Sequence, residues 1–476
     1  MAKTLHCAAV DLGATSGRVI VGTWSNKELT LTEVHRFANG FQSLGKHDYW
    51  NIPGLWAEIQ TGLRKAAGLF PKIASVGVDT WGVDYVLLDT EGRLMFPTHA
   101  YRDGRTQAGL ARLAKSSADL KRVYAATGIP NVFYNSSLQL AEVVKSCPEV
   151  KKLAKRCLFL PDYFNYLLSG RMENELSIAS TTQLLDVNST GWSTKALKHF
   201  GVPASWFSKP ILAGTELGPV VSLPELGKAR VIAVPGHDTA SAYDAMPADP
   251  EGGDLFLSSG TWSLIGFESD RPVLGDEALA SRIANERIGD GRYRPLTNVI
   301  GLWLLEGTIK DFASRPKDDA EWSALVIAAE ALPKPDVLLD VSDPVFSNPP
   351  SMRAAIDAQL RKLKVNPPKD LAGYMRLICE SLGKGHADAM RNFERLAKRR
   401  FKRILMVGGG SKNRLLCQAT ADATGLTVVS FALEGTAVGN IASQLIALGA
   451  VKNLAAFRAA LGGKLEKTTY HPRAGA

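Results

Sequence analysis

Residues 7–24 read CAAVDLGATSGRVIVGTW, and this stretch decides the fold class. Cys7 to Val10 is short and apolar, as a buried strand is, and the run ends on a carboxylate, Asp11. A turn containing Gly13 and Gly17 follows, then a second apolar run at 18–24. The polar tetrad SNKE at 25–28 separates that run from a third at 29–37, so the spacing predicts a hairpin. Residues 55–69 keep an apolar stripe at helical spacing (Leu55, Ile59, Leu63, Ala66 and Ala67), with Pro53 suited to the first turn. Residues 74–79 and 85–89 are two more apolar strands, each closing on an acid. Three strands, a helix and then alternating units predict a mixed α/β domain.

A similar order returns later. Residues 254–258 form a strand leading to the turn Ser259-Gly260-Thr261, and 262–267 continue as its partner. Residues 371–396 are rich in helix formers, with Met375, Ile378, Cys379 and Leu382 giving part of a stripe, and 404–407 is a buried strand opening on Gly408-Gly409-Gly410. The Pro- and Gly-rich MPADPEGG at 246–253 marks the dividing line, so the expected domains are 1–244 and 245–476. Two α/β halves facing each other across a cleft is the predicted architecture.

The chain has 476 residues, long enough for a packed core without staples, and 45% of them are hydrophobic against 22% charged. That balance excludes a mainly disordered or fibrous chain. The five cysteines (Cys7, Cys147, Cys157, Cys379 and Cys417) are scattered, with no Cys-x-x-Cys pair, which speaks against a structural zinc or a disulfide framework. Residues 1–13 run straight into a strand without a long apolar segment, and no run reaches the roughly 20 apolar residues of a membrane span. A reducing, cytoplasmic setting is expected. Lys plus Arg is 56 against 47 for Asp plus Glu, a net charge of +9 that fits any anionic ligand and says nothing of fold.

Five motifs carry chemistry. In Asp11-Leu-Gly-Ala14-Thr15-Ser16-Gly17-Arg18, the glycines let backbone N–H groups approach a phosphate, Thr15 and Ser16 add hydroxyls, Arg18 adds a cation, and Asp11 could hold Mg²⁺ through water. The alternative is a plain hairpin with a solvated Arg18. Ser258-Ser259-Gly260-Thr261-Trp262 repeats the pattern, and Gly408-Gly409-Gly410-Ser411 can lie flat against a nucleotide or present a helix N-terminus to phosphate. In Gly236-His237-Asp238-Thr239-Ala240 an acid at a strand end can take a proton from a hydroxyl, or His237 and Asp238 can cap the next helix. Trp81 in Asp79-Thr80-Trp81-Gly82-Val83-Asp84 can face a sugar or lie in the core, and Asn298 can bind a hydroxyl or cap a helix. The eight histidines show no H-E-x-x-H spacing, and G-x-S-x-G is missing.

Together with Tyr101-Arg-Asp-Gly-Arg105, these segments resemble the FGGY carbohydrate kinases, in the same order and over nearly the whole chain. Within that family TGIPNVFYNSSLQL, LPDYFNYLLSG, NVIGLWLLEG and GNIASQLIALG are most similar to the rhamnulokinases. The resemblance implies the actin-like ATPase fold, two ribonuclease H-like domains with ATP, Mg²⁺ and sugar in the cleft. The first half would be the sugar-binding and phosphate-hairpin domain and the second the nucleotide-binding domain. Asp238 would be the general base, Ala14 to Arg18 the first phosphate turn, and Asp11 the organiser of Mg²⁺. Thr261 would contact the transferring phosphate and Gly409 the adenosine side. Gly82, His237, Thr239 and Asn298 would contact the sugar, with Trp81 beside them.

This sequence departs from the family pattern in three places. Glu306 stands where rhamnulokinases usually carry Gln near the nucleotide, NERIGDG at 285–291 replaces Asn-Glu-Gly-Gly, and LEGTAVGN at 433–440 departs from Glu-Ala-Ser-Thr-x-Gly-Asn. Both departures at Glu306 and 433–440 are expected in the nucleotide half. The implied reaction is phosphorylation of a deoxy-ketose, L-rhamnulose at O1, with L-fuculose, L-ribulose, D-xylulose or a polyol as alternatives, in a monomer or homodimer. Two rivals are weighed: an ATP-binding assembly protein or chaperone on the same fold, which leaves GHDTA and TWGVD without a role, and a nuclease using Asp11, Asp79 and Asp84. The nuclease reading leaves both glycine turns unexplained. The basic runs at 395–403 (RLAKRRFKR) and at Lys151, Lys152, Lys155 and Arg156 are expected on solvated helix faces, and no nucleic-acid or membrane partner is expected.

Overall fold

The computed structural model describes residues 4–473 apart from 313, 314, 432, 433 and 464. Contacts divide the chain into two units, one of Met1–Pro247, Ser269–Pro295 and Glu434–Lys464, the other of Ala248–Glu268, Leu296–Leu433 and Leu465–Ala476. The first crossing falls close to the boundary read from the sequence. The chain then re-enters the first unit twice, which no single boundary captures.

The first unit is built on β1 (Leu5–Leu12), β2 (Ser16–Ser25), β3 (Glu28–Ala38), α1 (Ile52–Leu69), β4 (Ile73–Thr80), β5 (Glu216–Pro219), β6 (Arg230–Ile232), α2 (Asp238–Ala245) and the late-arriving α3 (Gly435–Ala447). Its sheet runs β3-β2-β1-β4-β6-β5. The β1-β2-β3 meander is antiparallel, and β1, β4 and β6 are parallel. Asn26 and Lys27 close the predicted hairpin with φ of +51° and +61°, the turn geometry that matches strand twist. β1 is buried from Cys7 to Leu12, as a central strand covered on both faces requires.

α1 starts at Asn51, whose side chain accepts from Gly54 N, with Pro53 in its first turn. It buries Ile52, Leu55, Ile59, Leu63 and Ala66, each larger aliphatic contributing roughly 1.5–3 kcal/mol. Ala67 lies at the edge of that stripe and is only partly buried. α3 packs on α2 at backbone contact: a Cβ on Gly439 would lie 1.8 Å from the Ser241 carbonyl oxygen.

The second unit carries β7 (Asp254–Ser259), β8 (Trp262–Gly266), β9 (Tyr293–Ile300), β10 (Arg403–Val407), β11 (Thr427–Phe431) and β12 (Lys467–Tyr470). They run β9-β8-β7-β10-β11-β12, with an antiparallel meander, a parallel centre and an antiparallel edge strand. The plan of the first sheet is thus repeated. The helix Leu371–Ala397 buries Met375, Ile378, Cys379 and Leu382, the predicted stripe.

In the run at 395–403, Arg395, Lys398, Arg400 and Lys402 are exposed as expected, while Arg399 and Arg403 are half-buried. Arg400 pairs with Glu394, Arg403 with Asp254, and Arg399 lies over the rings of Phe267 and Phe401. Lys151, Lys152 and Lys155 are exposed as expected. Among the described residues no helix is long and apolar enough to cross a membrane.

Candidate active site

The first unit gathers its acids where β1 and β4 end. Asp11 and Asp79 are register partners across these parallel strands, and Asp11 also faces Arg18 across the β1-β2 hairpin. Arg18 donates to Asp11 Oδ2 at 2.6 Å and to Glu434 Oε2 at 2.5 Å. Asp79 is wholly buried. Its Oδ2 accepts from Asn440 Nδ2 at 2.6 Å, and its Oδ1 has no partner. Burial pushes both carboxyls above the usual range; the Asp238 charge pushes each further, while Arg18 holds Asp11 back. Asp238 therefore belongs to the same electrostatic neighbourhood as Asp11, Asp79 and Arg18.

The turn between β1 and β2 is closed by Gly13 N donating to Ser16 O at 2.8 Å, and Asn39 clamps it from β3 through Thr15 O and Gly13 O. Thr15 is exposed, and Ala14 and Ser16 are half-buried. Packing also requires glycine at position 17, where a Cβ would lie 2.3 Å from the Phe37 ring.

Asp238 opens α2, and neither it nor His237 forms the helix cap that was the alternative reading, since the cap position makes no side-chain hydrogen bond. Oδ1 of Asp238 accepts from Thr239 N at 2.5 Å and Thr239 Oγ1 at 2.9 Å. Oδ2 has no hydrogen-bond partner among the described residues. His237 Nε2 lies 3.4 Å from Asp238 Oδ1, and a Cβ on Gly82 would be 3.4 Å from the same nitrogen. Gly82, His237, Asp238 and Thr239 are thus brought together.

Two residues that the sequence did not single out complete this corner. His237 Nδ1 is 3.2 Å from Glu286 Oε2 and 3.0 Å from Nη2 of the fully buried Arg294, and Arg294 pairs with Glu286. Burial pushes the Glu286 carboxyl up, but the Arg294 guanidinium paired with it holds the group down to about 2. Glu175 was also missed: its Oε2 accepts from Gly236 N at 2.9 Å and fixes the loop before the acid. An acid in NERIGDG followed by an arginine across two glycines was the available signal for the Glu286–Arg294 pair.

Trp81 is a core residue and not a sugar platform. It is 6% exposed, its ring packs on Trp50 with centroids 4.3 Å apart, and its Nε1 donates to Asp84 at 2.9 Å. Asp84 also accepts from Trp50 Nε1, Gln139 Nε2 and Tyr101 N. Burial pushes it up to about 6 against these donors. Asp84 is therefore sequestered by indoles, which removes one of the three acids the nuclease reading needs. Among the described residues no group of three or more His, Cys, Asp or Glu side chains is placed to hold a metal ion.

In the second unit, Thr261 sits exposed in the β7-β8 turn, its carbonyl accepting from Gly301 N and Trp303 N. Gly408 has φ +87°, and a Cβ there would strike the Ser259 carbonyl oxygen at 2.5 Å, so β10 turns tightly against the end of β7. Gly409 next to it faces open space. Asn298 is exposed on β9 opposite Leu264 and caps no helix. Glu306, on the helix Trp303–Ile309, is bound by Arg315 at 2.5 and 3.1 Å. The departure at 433–440 belongs to the first unit, not the nucleotide half: Glu434 reaches Arg18 and Asn440 reaches Asp79, while Leu433 lies outside the described residues.

The N-terminal domain model of the FGGY family of carbohydrate kinases matches residues 6–242, and its C-terminal domain model matches 255–448. The chain belongs to this family. It is an ATP-dependent carbohydrate kinase. Relatives among curated proteins include rhamnulokinases of Enterobacter sp. (strain 638) and Klebsiella pneumoniae, each 40% identical over 98% of this chain and 94% of the relative. Similar solved structures include Plasmodium falciparum glycerol kinase with ADP (TM-score 0.80, 13% identity, 99% of this chain and 94% of that one) and gluconate kinase from Lactobacillus acidophilus (TM-score 0.79, 14% identity, 99% and 94%). The fold is the actin-like ATPase fold that the resemblance implied, and the repeated sheet plan is its two ribonuclease H-like domains. Family membership sets aside the nuclease and chaperone readings.

Proposed function

We propose that the chain transfers the γ-phosphoryl group of ATP to O1 of L-rhamnulose, with Asp238 as general base. The rhamnulokinase relatives at 40% identity support the sugar. The observation that carries the base is the unequal state of the Asp238 oxygens: Oδ1 is engaged by Thr239, and Oδ2 has no hydrogen-bond partner among the described residues.

In this mechanism Asp238 Oδ2 takes the proton of the O1 hydroxyl. O1 forms a bond to the γ-phosphorus, the bond from that phosphorus to the β,γ-bridging oxygen breaks, and ADP leaves with the electron pair. Such a transfer asks the protein for positioning and charge neutralisation. The turn of Ala14, Thr15, Ser16 and Gly17 would offer N–H and hydroxyl donors to the phosphates, and Arg18 a cation. Gly82, His237, Thr239 and Asn298 would contact the sugar, Thr261 the transferring phosphate and Gly409 the adenosine, with Glu306 near the nucleotide.

Mg²⁺ fits the donor chemistry of the first unit. Asp11 and Glu434 share one arginine, and Asp79 Oδ1 has no partner among the described residues, so oxygen acceptors outnumber the cations beside them. The ion, riding on nucleotide phosphates with most of its water, would meet Asp11 through that water and neutralise charge on the phosphate oxygens.

The test is ADP release screened against L-rhamnulose, L-fuculose, L-ribulose, D-xylulose and glycerol. The highest kcat/KM is expected with L-rhamnulose. Preference for another acceptor overturns the sugar and leaves the kinase standing.

A further inference from the structure

His237 stands among charged groups whose bonding rules decide which ring nitrogen carries its proton. Nη2 of the buried Arg294 lies 3.0 Å from His237 Nδ1 and also pairs with Glu286 Oε2. A guanidinium has only donors, so the contact with Nδ1 is a hydrogen bond only when Nδ1 is bare. The two hydrogens of one Nη2 can serve Nδ1 and Oε2 together.

The other protonation states fare worse. A proton on Nδ1 alone would set two donors face to face at 3.0 Å and turn the Nε2 lone pair on Asp238 Oδ1 at 3.4 Å. An imidazolium would gain Glu286 and Asp238 but put its charge against a fully buried guanidinium. The bare-Nδ1 state has one unfavourable contact, with Glu286 Oε2 at 3.2 Å, an oxygen that already accepts from Arg294. The Tyr243 ring under the guanidinium, 4.9 Å from its carbon, keeps Arg294 in place.

We infer that the Glu286–Arg294 pair holds His237 as the Nε2–H tautomer, which turns its N–H towards Oδ1 of Asp238 at 3.4 Å and leaves Oδ2 as the oxygen that takes the substrate proton. The inference rests on the role proposed for Asp238. Thr239 N and Oγ1 donate to Oδ1, and the Nε2–H lies on the same side of the carboxylate. Proton transfer is thereby assigned to one atom of a carboxylate whose two oxygens are chemically equivalent in isolation. Thr239 spends its hydroxyl proton on the acid, so towards a sugar it acts as an acceptor. Glu286 and Arg294 touch no substrate in this scheme and are positioning residues acting through His237.

The tautomer is read directly from two-bond ¹H–¹⁵N correlations of the full-length chain labelled with ¹⁵N-histidine, the His237 signals being those lost in His237→Gln. A protonated Nε2 with a bare Nδ1 at neutral pH is expected; a protonated Nδ1, alone or with Nε2, overturns the inference. In Arg294→Met the pattern is expected to move to protonated Nδ1, with kcat down about 10- to 100-fold and the sugar KM within about threefold of wild type. Arg294→Lys should restore part of both. Unchanged kcat and pattern in Arg294→Met overturn the inference. Removing one partner of a buried pair can cost folding, and Glu286→Gln/Arg294→Met, which removes both charges, then gives the same readouts. Near-normal turnover in Asp238→Asn beside a wild-type Nε2–H pattern overturns the base and with it the assignment to Oδ2, while the tautomer stands.

Discussion

Asp11 and Asp79 end adjacent parallel strands as register partners, yet they are served by different parts of the chain: Asp11 by Arg18 from the neighbouring hairpin strand, Asp79 by Asn440 from α3. The first acid is buried beside a cation that partly neutralises it. The second is sealed in, with one oxygen unpaired. Two side chains of one type at paired positions thus have different partners, one a guanidinium and the other an amide.

Asp238→Asn should keep ATP and sugar binding and lose about 10²- to 10⁴-fold in kcat, since only the proton acceptor is removed. Titration calorimetry for both ligands beside steady-state ADP release checks this. Turnover near the wild-type level would sink the assignment of the base.

Chelation of divalent cations should abolish sugar-dependent ADP release, and Asp11→Asn should raise the Mg²⁺ concentration that gives half-maximal rate. A variant whose Mg²⁺ dependence overlays the wild-type curve would show that Asp11 does not organise the ion.

Asn440→Ala removes the one side-chain donor to Asp79 among the described residues and strands a second buried oxygen. A loss of about 1–3 kcal/mol in urea unfolding is expected. Stability within error of wild type would mean that Asp79 is buried as a neutral acid that needs no donor.

Asp84 gives a pH signature. Burial raises it to about 6, so between about pH 4 and pH 6 the folded chain holds a proton that the unfolded chain has released. Stability through this group therefore falls as pH rises across that window, by on the order of 2 kcal/mol. Glu286 is depressed to about 2 and contributes stability that is lost only as pH falls below the ordinary carboxylate range. Buried His386, lowered to about 4, works in the opposite sense to Asp84, because its stabilisation is lost as pH falls towards that value. Asp84→Asn isolates the first effect: relative to wild type, the variant should gain stability from pH 4 to pH 7. Parallel curves would contradict the buried ionisation.

Glu306→Gln should lower the KM for ATP a few-fold by withdrawing a negative charge from the nucleotide. Its pair with Arg315 is largely exposed, so stability should change by less than about 1 kcal/mol. An unchanged KM would place Glu306 away from the nucleotide.

The strand-turn-strand at 5–25 and the helix at 52–69 were legible because their signals are local: apolar runs, a turn tetrad and a stripe with a proline at its start. Trp81 illustrates the limit. An aromatic between two acids reads equally as platform or core, and the decision came from Trp50 and Gln139, which are distant in sequence. Glu286 and Arg294 leave only a weak local signal for the same reason, since their meaning depends on His237, about fifty residues earlier. The segment at 433–440 was read as part of the nucleotide half because it follows that half in sequence. Only the Gly439–Ser241 approach and the Asn440–Asp79 bond return it to the first unit.

The return of α3 also sets a schedule. On a ribosome, Asp11 and Asp79 emerge among the earliest segments, whereas Glu434 and Asn440 follow only after nearly the whole second unit has been made. Domains usually complete themselves in the order of synthesis; this one waits. A nascent or prematurely terminated chain ending before residue 434 would carry the turn and the acids but lack the partners that hold Arg18 and Asp79. Chemical competence is thereby tied to the finished polypeptide, and a fragment would be inert rather than a slower version of the whole.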